Sequence, residues 1–242
     1  MKIGKLNKIK TVILCGGLGT RIFEETKTKP KPMIKIGGQP ILVHIMNIFK
    51  KNGYKNFLLA TGYKAEVIKK FFKRKQTKNL TVKIINTGRE TMTGGRLLKL
   101  KKFFKKNENF FLTYGDGLTN QNLKQLYKFH INHKKIATAT AVRPPARYGE
   151  MIMKGSKVKK FEEKPLVTQS WINGGFFIFN SKIFKFLKNN KTILEKTPLE
   201  KLSKNGQLMA FKHKGFWQCM DTMRDKKYLN NILKNKKAPW KN

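Results

Sequence analysis

The chain has 242 residues, and 54 lysines and arginines against 13 aspartates and glutamates give it a formal net charge of +41. This length is enough for one α/β domain with a substantial core. No run is long and apolar enough to span a bilayer, and no signal peptide precedes the first residues, so we expect a cytoplasmic protein without membrane insertion. Cys15 and Cys219 are too few for a disulfide framework, and neither has a sequence neighbour that would suggest catalysis.

A protein this basic is a candidate for binding nucleic acid, because lysines neutralise phosphates. Only seven of the basic residues are arginines, however, and the lysines are spread along the whole chain rather than grouped in one arm. No helix-turn-helix, zinc-ligand or RNP-like pattern occurs. We therefore expect no specific nucleic-acid partner and keep a Lys-rich nucleic-acid-binding protein as an alternative of a different class.

The first predicted element is a buried strand, an apolar run that ends at Cys15. It leads into the stretch Gly16-Gly17-Leu18-Gly19-Thr20-Arg21. Glycines leave the backbone amides uncovered, so several amides can converge on one anion. Thr20 adds a hydroxyl donor, and Arg21 adds a planar guanidinium suited to phosphate oxygens. An ordinary glycine turn between strand and helix is the alternative.

A second stretch, Lys29-Pro30-Lys31-Pro32, favours phosphate binding. The prolines restrict the backbone and hold the ammonium of Lys31 on a stiff loop, so we predict a triphosphate site. It is not a dinucleotide fingerprint, because Ile22 stands where the third glycine is needed, and no P-loop or protein-kinase motif occurs.

Helices and strands alternate after this loop. The expected segments are a helix from Ile41 to Gly53, a strand over 56–61, a helix over 66–73 and a strand over 81–85. This order predicts a mostly parallel sheet built from right-handed crossovers, with ligands bound beyond the carboxyl ends of the strands.

The next polar segment, Thr87–Arg96, carries glycines, hydroxyls and a guanidinium and leads into a predicted helix from Leu97 to Phe104. Such a loop could hydrogen-bond a pyrimidine edge or a triphosphate. The alternative is that Thr93 caps the helix.

Aspartates are informative in this chain because it has only three, Asp116, Asp221 and Asp225. Asp116 follows a predicted strand over 109–114 and is flanked by glycines, where an α/β site would hold Mg²⁺. Asp221 follows another apolar stretch, and we predict that the two carboxylates bind the metal together. A turn aspartate and a helix cap are the respective alternatives. Asp225 is predicted to form a surface ion pair, and Thr222 to cap the last helix.

Shorter strands over 151–153 and 158–161 suggest a sugar-facing subregion rather than an independent domain. Glu163 and Lys164 lie in an acid–lysine cluster that is a candidate binding site in this subregion. A surface ion pair is the alternative. Asn173 precedes two glycines inside a predicted strand, where a ligand can approach the backbone. The three phenylalanines that follow, at 176, 177 and 179, are expected in the core.

These stretches together resemble the motifs of sugar-1-phosphate nucleotidylyltransferases, and within them the branch that transfers a cytidylyl group to glucose 1-phosphate. The resemblance runs from about residue 10 to Trp240. The motifs that carry it are Gly16–Arg21 with Pro30–Pro32, Thr91–Arg96, Tyr114–Gly117, Glu163–Pro165, Trp171–Phe177 and Gly215–Thr222.

The resemblance implies a single Rossmann-like α/β domain over 1–242, with a mostly parallel mixed sheet flanked by helices and a small β subregion for the sugar. The nucleotide-binding part would span about 9–145, and the sugar-phosphate part and C-terminal helix about 146–242. The implied reaction condenses CTP with glucose 1-phosphate and releases pyrophosphate, with Mg²⁺ as cofactor. A uridylyl- or thymidylyltransferase is the nearest alternative. A homo-oligomer is also implied, although the family's longer segment is shortened here to residues 73–79.

The resemblance also assigns residues to roles. Arg21, Lys31, Asp116 and Asp221 would be catalytic, the last two as metal ligands. The residues implied to bind substrate are Leu14, Cys15, Gly16, Gly17, Gly19, Thr20, Thr91, Arg96, Gly115, Glu163, Lys164 and Asn173.

Overall fold

A seven-stranded sheet forms the centre of the protein. The structure is a computed structural model that describes residues 7–74, 79–143, 150–162 and 170–241. The strands are β1 (Lys10–Cys15), β2 (Lys35–Ile36), β3 (Gln39–Pro40), β4 (Asn56–Thr61), β5 (Thr81–Asn86), β6 (Asn109–Tyr114), β7 (Gly117–Thr119), β8 (Ala137–Val142), β9 (Glu150–Lys154), β10 (Lys157–Glu162), β11 (Ile172–Asn180), β12 (Leu208–His213) and β13 (Trp217–Cys219).

Helices alternate with these strands along the described chain. They are α1 (Phe23–Thr26), α2 (Ile41–Lys51), α3 (Ala65–Arg74), α4 (Thr93–Lys99), α5 (Leu123–His133), α6 (Thr197–Lys204) and α7 (Met223–Lys234). The additional 3₁₀ turns are Thr20–Ile22, Lys31–Met33, Lys101–Phe103, Ser181–Phe186 and Pro239–Lys241.

The order of strands in the central sheet is β12-β8-β11-β6-β1-β4-β5. β1 pairs in parallel with both β4 and β6, and β8 pairs in parallel with β12. β11 is antiparallel to both its neighbours, β6 and β8. The carboxyl ends of β1 and β6 therefore meet the amino end of β11 at one edge of the sheet. This arrangement confirms the predicted mixed, mostly parallel α/β fold.

The sheet is buried on both faces, as β11 illustrates. Phe176 belongs to one apolar cluster and Phe177 and Phe179 belong to the other, because successive side chains point to opposite faces. All three phenylalanines are core residues, as predicted. Burying both faces fixes the register of β11, since a one-residue slip would exchange the two sets of side chains.

The helix predicted from Leu97 to Phe104 is wrong in its bounds. The structure begins α4 at Thr93 and ends it at Lys99, and a 3₁₀ turn follows. Glycines are poor residues inside a helix, but here the backbone of Gly95 lies against Asn190, whose carbonyl oxygen would be 2.4 Å from an added Cβ. Tertiary packing therefore outweighs helix propensity in the first turn.

The C-terminal part of the chain shares the central sheet with the N-terminal part, since β11 lies between β6 and β8. β9 and β10 form a separate antiparallel hairpin. Within the described ranges, no helix is both long and apolar enough to cross a membrane.

Candidate active site

A cavity of about 630 Å³ opens at the edge where β1 and β6 end. Most of the residues predicted to bind substrate or metal are brought together in its wall. They are Leu14, Cys15, Gly16, Gly17, Gly19, Thr20, Arg21, Lys31, Thr91, Arg96, Gly115, Asp116, Asn173 and Asp221. Glu163 and Lys164, by contrast, lie outside the described residues.

The glycine loop after β1 needs its glycines at two positions. Gly19 has φ +69°, in the left-handed region that side chains disfavour. Gly16 lies so close to the guanidinium of Arg96 that an added Cβ would stand 2.1 Å from Nη1. The loop therefore takes its shape both from its own backbone and from the arginine packed against it.

Arg96 is buried and donates hydrogen bonds to oxygens of three separate segments. Its Nη2 donates to the carbonyl of Gly16 at 2.8 Å, and its Nη1 donates to the hydroxyl of Thr87 and the carbonyl of Gly88, both at 2.7 Å. Longer bonds reach the carbonyls of Thr61 and Arg89. Burial lowers the pKa of Arg96, since these acceptors are neutral. The guanidinium thus joins the glycine loop to the ends of β4 and β5.

Thr91 also lies in the wall of the cavity, and its hydroxyl donates to the carbonyl of Thr87 at 2.6 Å. Thr93 does not cap α4 with its side chain, because the N-cap residue is Met92. The hydroxyl of Thr93 instead donates to Glu195 at 2.6 Å and accepts the amide of Leu194. The segment around Leu194 therefore fixes the start of α4.

The two predicted metal ligands lie side by side although they are 105 positions apart in the sequence. Asp116 follows β6, the central strand of the sheet, and Asp221 follows β13. β13 pairs with β7, which places Cys219 opposite Gly117, and the amide of Met220 donates to the carbonyl of Asp116 at 2.9 Å. This short antiparallel pair holds the two carboxylates together.

Lys31 bridges the two carboxylates. Its Nζ donates to Oδ2 of Asp116 at 2.7 Å and to Oδ1 of Asp221 at 2.5 Å. Burial pushes the pKa of Lys31 down, but the two carboxylates outweigh this and the net shift is upward. The pKa of Asp221 is lowered, because hydrogen bonding and charge from Lys31, with the charge of Arg21, outweigh its burial.

Arg21 contacts the same carboxylate from the solvent side. Its Nη1 donates to Oδ2 of Asp221 at 2.7 Å, while 69% of its side chain remains exposed. An exposed ion pair of this kind contributes little to stability. The guanidinium can therefore leave the carboxylate for a phosphate at small cost.

The residues present fit a divalent metal ion. Ligand atoms of Asp116, Cys219 and Asp221 all lie within 4.8 Å of one another. The ammonium of Lys31 already lies between the two carboxylates, which shows that both point toward one position able to hold a cation. Two carboxylates are the hard oxygen ligands that small divalent ions prefer.

Asn173 reaches the cavity because β11 runs antiparallel and its amino end lies at the same edge. The side-chain oxygen of Asn173 accepts the amide of Gly175 at 2.9 Å. Gly175 has φ +74°, and an added Cβ would be 2.6 Å from the ring of Tyr114. The glycines in this strand thus bring its backbone against the end of β6.

Among the side chains in the wall of the cavity that were not predicted as site residues, Glu195 and Cys219 carry groups able to bind a cation. Glu195 accepts the hydroxyls of Tyr114 and Thr93. The scarcity of acids in this chain is a signal that could have pointed to Glu195. Cys219 has no partner in the local sequence, but the fold places its thiol beside both aspartates.

The prediction for Asp225 is wrong. Its carboxylate is half-buried and caps α7 instead of forming a surface ion pair. It accepts the amide and the hydroxyl of Thr222, whose hydroxyl accepts the amide of Asp225 in return, so the predicted cap by Thr222 is confirmed. Asp225 also accepts the amide of Asp221, and it therefore helps to fix the backbone of this predicted metal ligand.

In an open α/β sheet, ligands bind beyond the carboxyl ends of the strands, which is where the glycine loop, the carboxylate pair and the buried cations meet. The family model described as nucleotidyl transferase matches residues 10–229, and the chain belongs to this family. Nucleotidyltransferases of this family generally use a divalent metal.

Curated relatives of this chain carry a more specific activity in their names. Glucose-1-phosphate cytidylyltransferase of Salmonella typhimurium is 43% identical over 254 residues, covering 96% of this chain and 99% of the relative. A probable glucose-1-phosphate cytidylyltransferase of Bacillus subtilis is 37% identical over the same shares. Among solved structures, HddC from Yersinia pseudotuberculosis complexed with GMP-PN superposes with a TM-score of 0.76 at 25% identity, covering 93% of this chain and 99% of that one. The resemblance seen in the sequence is confirmed.

Proposed function

We propose that the protein condenses CTP with glucose 1-phosphate to give CDP-glucose and pyrophosphate. The observation that carries the chemistry is the convergence of Lys31 with Asp116 and Asp221 beside the glycine loop. The choice of CTP and of glucose 1-phosphate rests on the curated relatives, which span nearly the whole chain.

The nucleophile is an oxygen of the sugar phosphate, which attacks the α-phosphorus of CTP. A phosphomonoester has its second pKa near 6, so this oxygen is largely ionised at neutral pH. A P–O bond forms as the bond between the α-phosphorus and the bridging oxygen breaks, and pyrophosphate leaves in line with the attack. No side chain has to remove a proton, and none of the described histidines pairs with an acid in the cavity.

The protein's contribution is to hold two polyanions together. The amides of the glycine loop receive the triphosphate, and Arg21 and Lys31 move from the carboxylates to its oxygens. The family resemblance implies that Lys164 contacts the sugar phosphate. Asp116 and Asp221 would hold Mg²⁺, which neutralises phosphate charge when bound.

Arg96 acts on the nucleotide through the glycine loop. The guanidinium is already engaged by the oxygens around it, so it positions the backbone of Gly16 rather than contacting phosphate directly. On the sugar side, Asn173 and Glu195 offer acceptors to hydroxyls, and the family resemblance implies that Glu163 does so too.

The experiment is to incubate the protein with glucose 1-phosphate, Mg²⁺ and each nucleoside triphosphate in turn, and to measure pyrophosphate release. We expect release with CTP well above that with UTP, dTTP or GTP. Preference for UTP or dTTP would identify a uridylyl- or thymidylyltransferase instead. No release with any triphosphate, together with salt-sensitive binding to DNA or RNA, would support the nucleic-acid-binding alternative. A cytoplasmic location and a homo-oligomer stay predictions.

A further inference from the structure

Cys219 lies where a third ligand to the metal would lie. It is the last residue of β13, paired with Gly117, and its thiol is directed into the cavity beside the two aspartates. The ligand atoms of Asp116, Cys219 and Asp221 fall within 4.8 Å of one another. The fold therefore places one sulfur and two carboxylates around a single position.

This donor set is mixed in chemical character. Carboxylate oxygens suit Mg²⁺, which takes sulfur poorly, whereas thiolate sulfur suits Zn²⁺ and Cd²⁺. Ligand atoms on one tetrahedral zinc ion are about 3.5 Å apart, given bonds of about 2.0–2.3 Å. The three ligand atoms lie within 4.8 Å of one another, so side-chain rotations that shorten the longest separation by about 1 Å would bring all three onto one ion.

We propose that Asp116, Cys219 and Asp221 form a binding site for thiophilic divalent ions, and that such ions inhibit the enzyme by taking the position of the hard catalytic ion. The sulfur of Cys219 binds the ion as its thiol releases its proton to solvent. Mg²⁺ would be held at the same position through the two carboxylates alone.

Lys31 has to give way in either case, because its ammonium lies between the carboxylates. An ion that arrives bound to the triphosphate can displace the ammonium of Lys31, since the triphosphate offers Lys31 a new partner. A thiophilic ion needs no nucleotide, because the bond to sulfur offsets the loss of the Lys31 contacts. The site should therefore bind Cd²⁺ in the free protein.

The test titrates the metal-free protein with Cd²⁺ and follows the ultraviolet charge-transfer band of a cadmium–thiolate bond. We expect a band of one thiolate per chain in the wild type and in Cys15→Ala, and its loss in Cys219→Ser and Cys219→Ala. Cys15 is the control, because it is the other cysteine of the chain and the group of three ligand atoms includes Cys219 and not Cys15. Calorimetry should show at least about tenfold weaker Cd²⁺ binding in both Cys219 variants, with Mn²⁺ binding changed by less than about threefold.

Retention of the band in Cys219→Ala, or equal Cd²⁺ affinity in both proteins, would overturn the proposal. Thermal melting of each variant separates loss of the site from loss of the fold. This inference rests on the proposed function only for the inhibition, which should need at least about tenfold more Cd²⁺ or Zn²⁺ in Cys219→Ala. If the wild type binds Cd²⁺ through sulfur but releases no pyrophosphate with any triphosphate, the metal site stands and the proposed function fails.

Discussion

Two buried cations beside the same glycine loop differ in what holds them. Lys31 donates to two carboxylates, whereas Arg96 donates mainly to backbone carbonyls of three segments. Both are at most 9% exposed. An ammonium between two carboxylates can be exchanged for another cation, because the carboxylates keep a charged partner throughout. A guanidinium that is bound by neutral oxygens cannot be exchanged for another cation in this way.

This difference assigns the two cations to different tasks. In the proposed function, Lys31 would give up its place between the carboxylates to a metal ion and move to phosphate, so we expect it to contribute to binding and turnover. Arg96 joins segments that are far apart in the sequence, and its contribution is to the shape of the loop and to stability.

Replacing either carboxylate should have the largest effect. We expect Asp116→Asn and Asp221→Asn each to lower kcat by roughly 10²–10³-fold, because each removes a charge that holds the metal. Pyrophosphate release measures the rate, and circular dichroism checks that the fold is kept. Glu66→Gln, an exposed acid in α3, is the matched control and should change nothing. Near-normal turnover in either aspartate variant would show that the metal lies elsewhere.

Lys31→Met should separate metal binding from turnover. Without the competing ammonium, we expect the nucleotide-free variant to bind Mn²⁺ about tenfold more tightly than the wild type, while kcat with CTP falls by about 100-fold. Calorimetry and pyrophosphate release measure the two effects. Lys29→Met removes a lysine from the same loop that pairs with Glu25, and it should leave Mn²⁺ affinity unchanged. Weaker Mn²⁺ binding in Lys31→Met would contradict the exchange of Lys31 for a metal ion.

Arg96→Lys keeps the charge but loses the planar fork. We expect it to lower the free energy of unfolding by about 2–3 kcal/mol, because several buried oxygens lose their donors. Urea denaturation measures this change. Arg89→Lys is the matched control at an exposed position and should cost less than about 0.5 kcal/mol. If Arg96→Lys keeps full stability and loses only affinity for CTP, then Arg96 contacts the nucleotide directly.

The ion pair between Asp221 and Lys31 should make the stability of the fold depend on pH in the acid range. The folded pKa of Asp221 lies below its ordinary value of 3.8, so its pair with Lys31 stabilises the fold above that pH. This contribution is lost as the pH falls through the lowered pKa. Between pH 5 and pH 2, the melting temperature of the wild type should therefore fall further than that of Asp221→Asn, by ~3 °C or more. Parallel acid profiles would mean that the ion pair does not stabilise the folded state.

Arg21→Ala should have the smallest effect on the fold. Its side chain is 69% exposed, so we expect the free energy of unfolding to change by less than about 0.5 kcal/mol. The KM for CTP should nevertheless rise about three- to tenfold, because the guanidinium is available to the triphosphate. The rise should shrink at high salt. A large loss of stability with unchanged KM would reverse this assignment.

Much of the site follows from local sequence. Short segments carry most of the predicted groups, and their chemistry can be recognised from neighbouring residues alone. These segments are the glycine loop after β1, the stiff loop around Lys31 and the two aspartates that follow apolar stretches. The parallel sheet follows from the alternation of strands and helices, which fixes where ligands gather. Scarcity of aspartate made Asp116 and Asp221 stand out.

Long-range pairing accounts for what the sequence did not reveal. Asp225 has basic neighbours in the sequence, but its carboxylate caps α7 and accepts the amide of Asp221. Cys219 has no local partner until β13 pairs with β7. Glu195 reaches the cavity only because its segment packs against the start of α4.

The sequence by itself determined which groups could bind phosphate and metal, since the chemistry of a glycine loop, a proline-flanked lysine or a rare aspartate belongs to the residues themselves. Only the tertiary structure decided that the ammonium of Lys31 can be exchanged for another cation and that the guanidinium of Arg96 is held in place. That outcome depends on whether carboxylates or backbone carbonyls surround each one, and those oxygens come from strands that meet only when the sheet forms.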